Sequence, residues 1–187
     1  MLSAHESLIW SRKRKRSVLK SVRMSEELSR LLEEDAEAKG IAFNSLFSSL
    51  AARYAEWDRY SERFGFVTCT GDFFALLLKS VDPAELERLL LAQKHQIIYD
   101  MMLFWFKDAS TESFLRLLKL QAKYTGLYDI ETKTDTDGHI IILRPRYEKL
   151  GRVLAVSLAD FVRKQFNANP EIKETASSVV LRFRISG

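Results

Sequence analysis

The chain of 187 residues is expected to fold as an α+β protein in two parts. Three observations predict this. A short alternating run, Ser17 to Met24, is followed by two amphipathic patterns broken at Lys39-Gly40. The rest of the chain reads in the order strand, helices, strand, strand, helix, strand. Cations crowd the start while the remainder is nearly neutral. Seven of the 29 Lys and Arg, but only one of the 25 acids, lie in residues 1–24, leaving 22 basic against 24 acidic residues elsewhere.

The elements of the first part follow from local chemistry. Residues 1–16 form an arm, with five consecutive cations at Arg12, Lys13, Arg14, Lys15 and Arg16. Val22 and Met24 then alternate with Ser21 and Arg23, the period of a half-buried strand. Lys20 falls in phase with the apolar face, and a shift of one residue would exchange the two faces. Ser25 is a helix cap with Glu26 and Glu27 in the first turn, where the dipole favours acids. Leu28, Leu31, Leu32 and Ala36 share one helical face, and Lys39-Gly40 ends it. Asn44 is expected to cap the next helix, whose apolar face is Leu46, Phe47, Leu50, Ala51, Tyr54 and Trp57 and which runs to about Arg63. Tyr54 and Trp57 read as core or subunit-interface residues.

The second part is expected to open with a strand at 64–70, punctuated by Gly65 and Gly71. Cys69 on that strand is expected to be buried. Helical patterns follow at 72–81, 83–107 and 111–125. Asp82 can cap the second of these with Pro83 in its first turn. Met101 to Phe106 is apolar all round and therefore core. Residues 127–134 and 139–144 read as strands, linked by the hairpin signal Asp135-Thr136-Asp137-Gly138. A helix is expected over 147–167, ended by Asn169-Pro170, and a last strand over 177–185. This order suggests a ferredoxin-like α/β sandwich with extra helices. Domain bounds are expected at 1–16, 17–63 and 64–187.

Composition excludes several classes. Hydrophobic residues are 47% and charged residues 29%, which is ordinary for a soluble globular chain. A lone cysteine rules out an internal disulfide and fits a reducing cytoplasm. No window is apolar for the ~18 residues of a membrane span, and no signal peptide is expected at the start. His5, His95 and His139 show no metal-ligand spacing. Asp135 and Asp137 read as turn residues rather than catalytic carboxylates. Phosphate-loop, nucleophile-elbow and zinc motifs are absent, so neither an enzyme nor a cofactor is expected.

Residues 17–57 resemble the ribbon-helix-helix family of DNA-binding regulators. The likeness is carried by Ser21-Val22-Arg23-Met24-Ser25-Glu26-Glu27-Leu28, then Lys39-Gly40-Ile41 and Asn44-Ser45-Leu46. It covers about a fifth of the chain. The resemblance implies a homodimer, or a higher oligomer, whose two strands pair antiparallel and enter the major groove of double-stranded DNA. Ser21 and Arg23, with Leu19 at the start of the strand, would read base edges. A good bidentate contact of this kind discriminates by about 1–3 kcal/mol. Asn44 and Ser45 would meet phosphate at a helix N-terminus, and Lys20 with the arm residues 12–16 would add phosphate contacts. The remainder, from Phe64, resembles only uncharacterised proteins. It is expected to sense an unidentified small-molecule or protein effector, or to oligomerise. The rival expectation is a protein-interaction module that holds a partner as an antitoxin holds its toxin, with weak DNA binding.

Overall fold

The computed structural model describes residues 18–136, 138–175 and 177–185. The fold is mixed α+β. The chain divides into two compact units, Met1–Ser48 and Ser49–Gly187, so the division falls inside one helix.

In the first unit, residues 18–25 have no regular structure and lead into α1, Glu26–Ala38. Ser25 is extended, and its side chain accepts from the Leu28 amide at 3.3 Å. α1 closes through Gly40 at φ 63°. Gly40 N–H donates to Glu37 O (2.9 Å) and Ile41 N–H to Ala36 O (3.0 Å). This paired closure satisfies the last carbonyls of a helix and needs a left-handed residue at its corner, which glycine adopts at no steric cost. α2, Phe43–Arg53, follows. Asn44 is its second residue and not its cap; the backbone carbonyl of Ala42 instead accepts from both Ser45 and Leu46. The expected strand at residues 18–24 is not formed. Among the described residues it has no strand neighbour whose backbone groups complete a ladder.

The second unit begins in α2. That helix continues through a π-helical turn, Tyr54–Asp58, into α3, Arg59–Phe64. Inside the turn the carbonyl of Glu56 accepts the indole N–H of Trp105 at 3.3 Å, an instance of a side chain inserting at a helix distortion. Trp57 is buried and Tyr54 exposed.

The strand expected at 64–70 is absent. Gly65 at φ 75° terminates α3, with Phe66 N–H returning to Ser61 O at 3.0 Å. Thr70 Oγ1 then caps α4, Gly71–Ser80, by accepting from Phe73 N–H at 3.3 Å. Two helix ends leave only the residues between them, and β propensity does not survive without a pairing partner. Cys69, expected to be buried, is consequently exposed.

α5, Pro83–Phe106, starts on Asp82, whose Oδ1 accepts from Ala84 and Glu85 at 2.9 and 3.2 Å. Met101, Met102 and Trp105 are buried at its end. α6, Thr111–Thr125, follows a Ser110 cap. Hairpin β1 (Tyr128–Asp135) and β2 (Gly138–Pro145) precedes α7, Glu148–Phe166; β3 (Glu171–Glu174) and β4 (Val179–Phe183) complete the described elements. α7 stops at a left-handed Asn167 (φ 49°), two residues before the expected Asn169-Pro170.

The sheet is antiparallel throughout, in the order β1-β2-β4-β3. This is not the ferredoxin-like connectivity. Two hairpins are joined by α7, and the place beside β2 is filled by β4, the last of the four strands. α7 and α6 cover one face, and α5 packs on α7. α7 is accordingly buried almost all round, from Leu150 to Val162. The other sheet face carries Glu131, Lys133, Arg144, Lys173 and Arg182, all exposed, around half-buried Ile140, Ile142 and Val180. Tyr128 is fully buried, and its hydroxyl donates toward Leu118 O (3.2 Å) and Gln121 Oε1 (3.1 Å), tying β1 to α6. Burial raises its pKa far above the ordinary tyrosine range. No described helix is long and apolar enough to cross a membrane.

Two outcomes test this unit. Gly138 sits at φ 121°, and a Cβ there would stand 2.4 Å from Phe183 O across the β2–β4 ladder. Gly138→Ala is therefore expected to lower unfolding free energy by about 3 kcal/mol, read from urea midpoints. His139, half-buried with Nδ1 3.0 Å from Thr134 Oγ1, has its pKa lowered by burial, partly offset by the Asp135 carboxylate. The unfolded chain binds that proton more readily, so stability should fall as pH drops below the ordinary value of about 6.5. His139→Gln should flatten this part of the acid limb; an unchanged limb would remove His139 from it.

Candidate nucleic-acid interface

The first unit places the residues expected to meet DNA on two short stretches. Leu19, Lys20, Ser21 and Arg23 all lie on the extended segment that Ser25 terminates, and all are exposed. Leu19 is 94% exposed and Val22 58%, whereas Met24 is half-buried. Neither Lys20 nor Arg23 has a hydrogen bond or ion pair among the described residues, so both cations are free for an external anion. A cap chemistry visible in the sequence thus fixes where this segment stops. Leu19, Lys20, Ser21, Val22 and Arg23 reach solvent, uncovered among the described residues of this unit.

The second stretch is the first turn of α2. Asn44 and Ser45 are exposed there. The Ser45 amide donates to Ala42 O at 2.9 Å, which removes it from the set of open donors. The amides of Phe43 and Asn44 come earlier and stand at the positive end of the helix dipole. The Ser45 hydroxyl remains available as a donor from its side chain. The arm residues Arg12, Lys13, Arg14, Lys15 and Arg16 lie outside the described residues.

The helices of this unit bury little. Ala36 and Leu46 are its buried apolar residues, while Leu28, Leu31 and Ile41 are between 43% and 50% exposed. Phe43 and Phe47 stack with centroids 6.2 Å apart. The polar side of α1 is laced by Arg30–Glu34 at 2.8 Å and by Lys39–Asp35. Exposed helical pairs of this kind each add only a few tenths of a kcal/mol. They keep α1 helical without fixing its partner.

The second unit gathers residues that sequence reasoning passed over. A cleft of about 500 Å³ is lined by the π-helical turn, α3, the end of α5 and α6, with Arg59, Tyr60, Trp105, Glu112 and Arg116 among its walls. The only sequence signal was the aromatic density of residues 54–66 and 104–106. The π turn that opens the helix wall has no sequence mark. Among the described residues no three His, Cys, Asp or Glu gather as a metal-ligand set. His95 lies against Phe161 with ring centroids 5.2 Å apart, and Cys69 is exposed in the link before α4.

Comparison with family models, curated proteins and solved structures finds no match to this chain. The residues themselves therefore carry the functional argument.

If the arm meets phosphate, removing residues 12–16 should reduce the slope of log K against log salt by about 0.9 for each phosphate no longer neutralised. Fluorescence anisotropy on a duplex at several salt concentrations measures it; an unaltered slope would take the arm out of the interface.

Proposed function

We propose that the chain is a dimeric, sequence-specific DNA-binding regulator of the ribbon-helix-helix kind. The observation that carries this reading is that residues 18–48 make only half of a fold. A capped extended segment has no strand partner among the described residues, and the two helices after it leave Val22, Leu28, Leu31 and Ile41 about half exposed. Burying the remainder of each is worth about 1 kcal/mol. Four such residues from each of two chains approach the whole stability of a small domain. A second copy supplies the missing strand and the missing face in one step, because a two-fold axis makes each patch its own complement.

In that dimer the paired segments form a two-stranded ribbon that fits the major groove. Ser21 and Arg23 project from its outer face while Val22 and Met24 turn to the helices. The Arg23 guanidinium donates to guanine O6 and N7, and Ser21 donates or accepts at a neighbouring base. Leu19 and Lys20 continue the contact at the ribbon's end. Phosphate is held at the first turn of α2 by the Asn44 amide and the Ser45 hydroxyl. The second unit then serves in sensing or oligomerisation, and the protein works in the cytoplasm.

One observation favours a second reading, a partner-binding module. α4 carries Phe73, Leu76 and Leu77 on one face, at 53%, 59% and 46% exposure. That stripe is wide enough to hold an apolar helix of another protein.

The deciding experiment selects bound fragments from random genomic DNA. Wild type should enrich a two-fold repeated sequence, and Arg23→Ala should lose that enrichment while retaining salt-sensitive nonspecific binding. Equal, unenriched recovery by both proteins would discard sequence-specific regulation. Sedimentation should show at least a dimer, with Leu31→Glu shifting it to monomer and abolishing DNA binding. A folded wild-type monomer at micromolar concentration would contradict the ribbon.

A further inference from the structure

We propose that the open face of the four-stranded sheet pairs with the same face of a second copy of this chain, about a two-fold axis that runs along the strands. The surface belongs wholly to the second unit, so the proposal goes beyond the DNA reading and stands without it.

Alternation along the strands divides the sheet. Tyr128, Ile141, Leu143, Val179 and Leu181 point to the helices and are buried. Their sequence neighbours point the other way, and the register sets them in rows across the four strands. One row reads Glu131, Ile142, Val180, Lys173; the next reads Lys133, Ile140, Arg182, Glu171. The three aliphatic residues are half-buried and the charged ones exposed. An aliphatic centre inside a charged rim is how interfaces are built.

The signs choose the partner. Around the corners of these two rows the charges alternate: Glu131, Lys173, Glu171, Lys133. A two-fold axis between β2 and β4 lays β1 of one copy on β3 of the other, and β2 on β4. Glu131 then meets Lys173 of the second copy and Lys133 meets its Glu171, each contact occurring twice. Ile142 meets Val180, and Ile140 lies under the apolar stem of Arg182. Beyond the two rows, Asp129 and Arg144 face uncharged Thr175 and Ser178, and Arg184 faces Gly138. A two-fold across the strands would also match the corners, but it lays Asp129 on Asp135, a like-charge contact that disfavours it. Aligned sheets pack about 30° apart, an angle the axis along the strands bisects.

Neighbours within one copy leave these contacts open. Glu131 Oε1 accepts from Arg144 Nη1 at 2.8 Å in its own sheet, and its second oxygen remains to accept from Lys173. Glu171 has Arg182 as cross-strand neighbour, and its two oxygens serve that side chain and Lys133 of the second copy. Lys133, Lys173, Glu171 and Arg182 have no ion pair among the described residues. Acids and bases are nearly balanced over the whole face, which therefore suits its own copy better than a polyanion. The face covers about 400 Å² at ordinary strand spacings, below the roughly 800 Å² per partner of a standard interface. The association is accordingly weak.

The test is sedimentation of the full chain in low salt from about 10 µM to 1 mM, in a Leu31→Glu background that removes the proposed ribbon contact. This chain should pass from monomer to dimer with a dissociation constant of about 100 µM. Lys133→Glu and Glu171→Lys should each weaken the dimer about tenfold, because acid then meets acid or base meets base at two corners. Mixing those two variants should restore association to within about twofold of the parent, since every corner of the mixed pair is again acid on base. Mixing Lys133→Glu with Glu131→Lys, equal in net charge, should not restore it, because residues 131 and 133 lie in different rows. The changed side chains are exposed, and near-ultraviolet circular dichroism of the tryptophans checks that the second unit folds. Absence of a dimer up to about 1 mM would overturn the proposal. So would single variants that associate like the parent, a first mixture that stays weak, or a second mixture that recovers. If the ribbon reading is wrong, Leu31→Glu leaves the association of wild type unchanged, and the mixtures still decide the sheet.

Discussion

The second unit is organised around one buried indole. Trp105, at the end of α5, touches Trp57, Tyr60, Phe64, Phe66 and Phe104 and binds the Glu56 carbonyl. Aromatic pairs contribute about 0.5–1.5 kcal/mol each beyond their buried area, so the cluster fastens the π-helical turn and α3 to the end of α5. Tyr124 and Lys123 extend it to α6 through Glu56. Without the indole, three elements would have no common anchor and the cleft would be missing one wall.

The sheet depends on a different constraint, the edge. β4 pairs on both sides, with β2 and β3, while β1 and β3 stay at the margins. Both margins are charged: β1 offers Asp129, Glu131 and Lys133, and β3 offers Glu171, Lys173 and Glu174. Charged edges resist further strand addition. The extended segment of the first unit is the contrary case. It is short, presents Leu19 and Val22 to solvent, and has no strand neighbour among the described residues. The same physics that closes one edge leaves the other wanting a partner, which is why the DNA proposal requires two copies.

Charge is divided in the same way. The second unit neutralises much of its own, through Glu131–Arg144 at 2.8 Å, Asp160–Lys164 at 2.8 Å and Glu56–Lys123 at 2.9 Å. Lys20 and Arg23 make no such pair among the described residues. Free cations on an extended segment attract a polyanion at long range.

Local chemistry was legible at several helix ends. Ser25, Asp82 and the Gly40 closure act within four residues of themselves, and the sequence showed each. The β1–β2 hairpin was legible because two alternating runs meet at a short polar link. Asn44 was misread as a cap since its preference for that role is matched by the Ala42 backbone, and side-chain propensity could not tell which residue would start the helix. The strand at 64–70 failed for a non-local reason: β-forming residues need a neighbour, and β4 had taken the place beside β2. β3 was missed for the converse reason, because Glu171–Glu174 has one apolar residue, Ile172, and is a strand only through its pairing with β4. Residue order was therefore enough for the Ser25 and Asp82 caps, the Gly40 closure and the helices beside them, since each is settled by near neighbours. Which strands met, where the helix loosened into a π turn, and which charges came to share one sheet face were settled only in three dimensions, because those outcomes depend on residues brought together from distant parts of the chain.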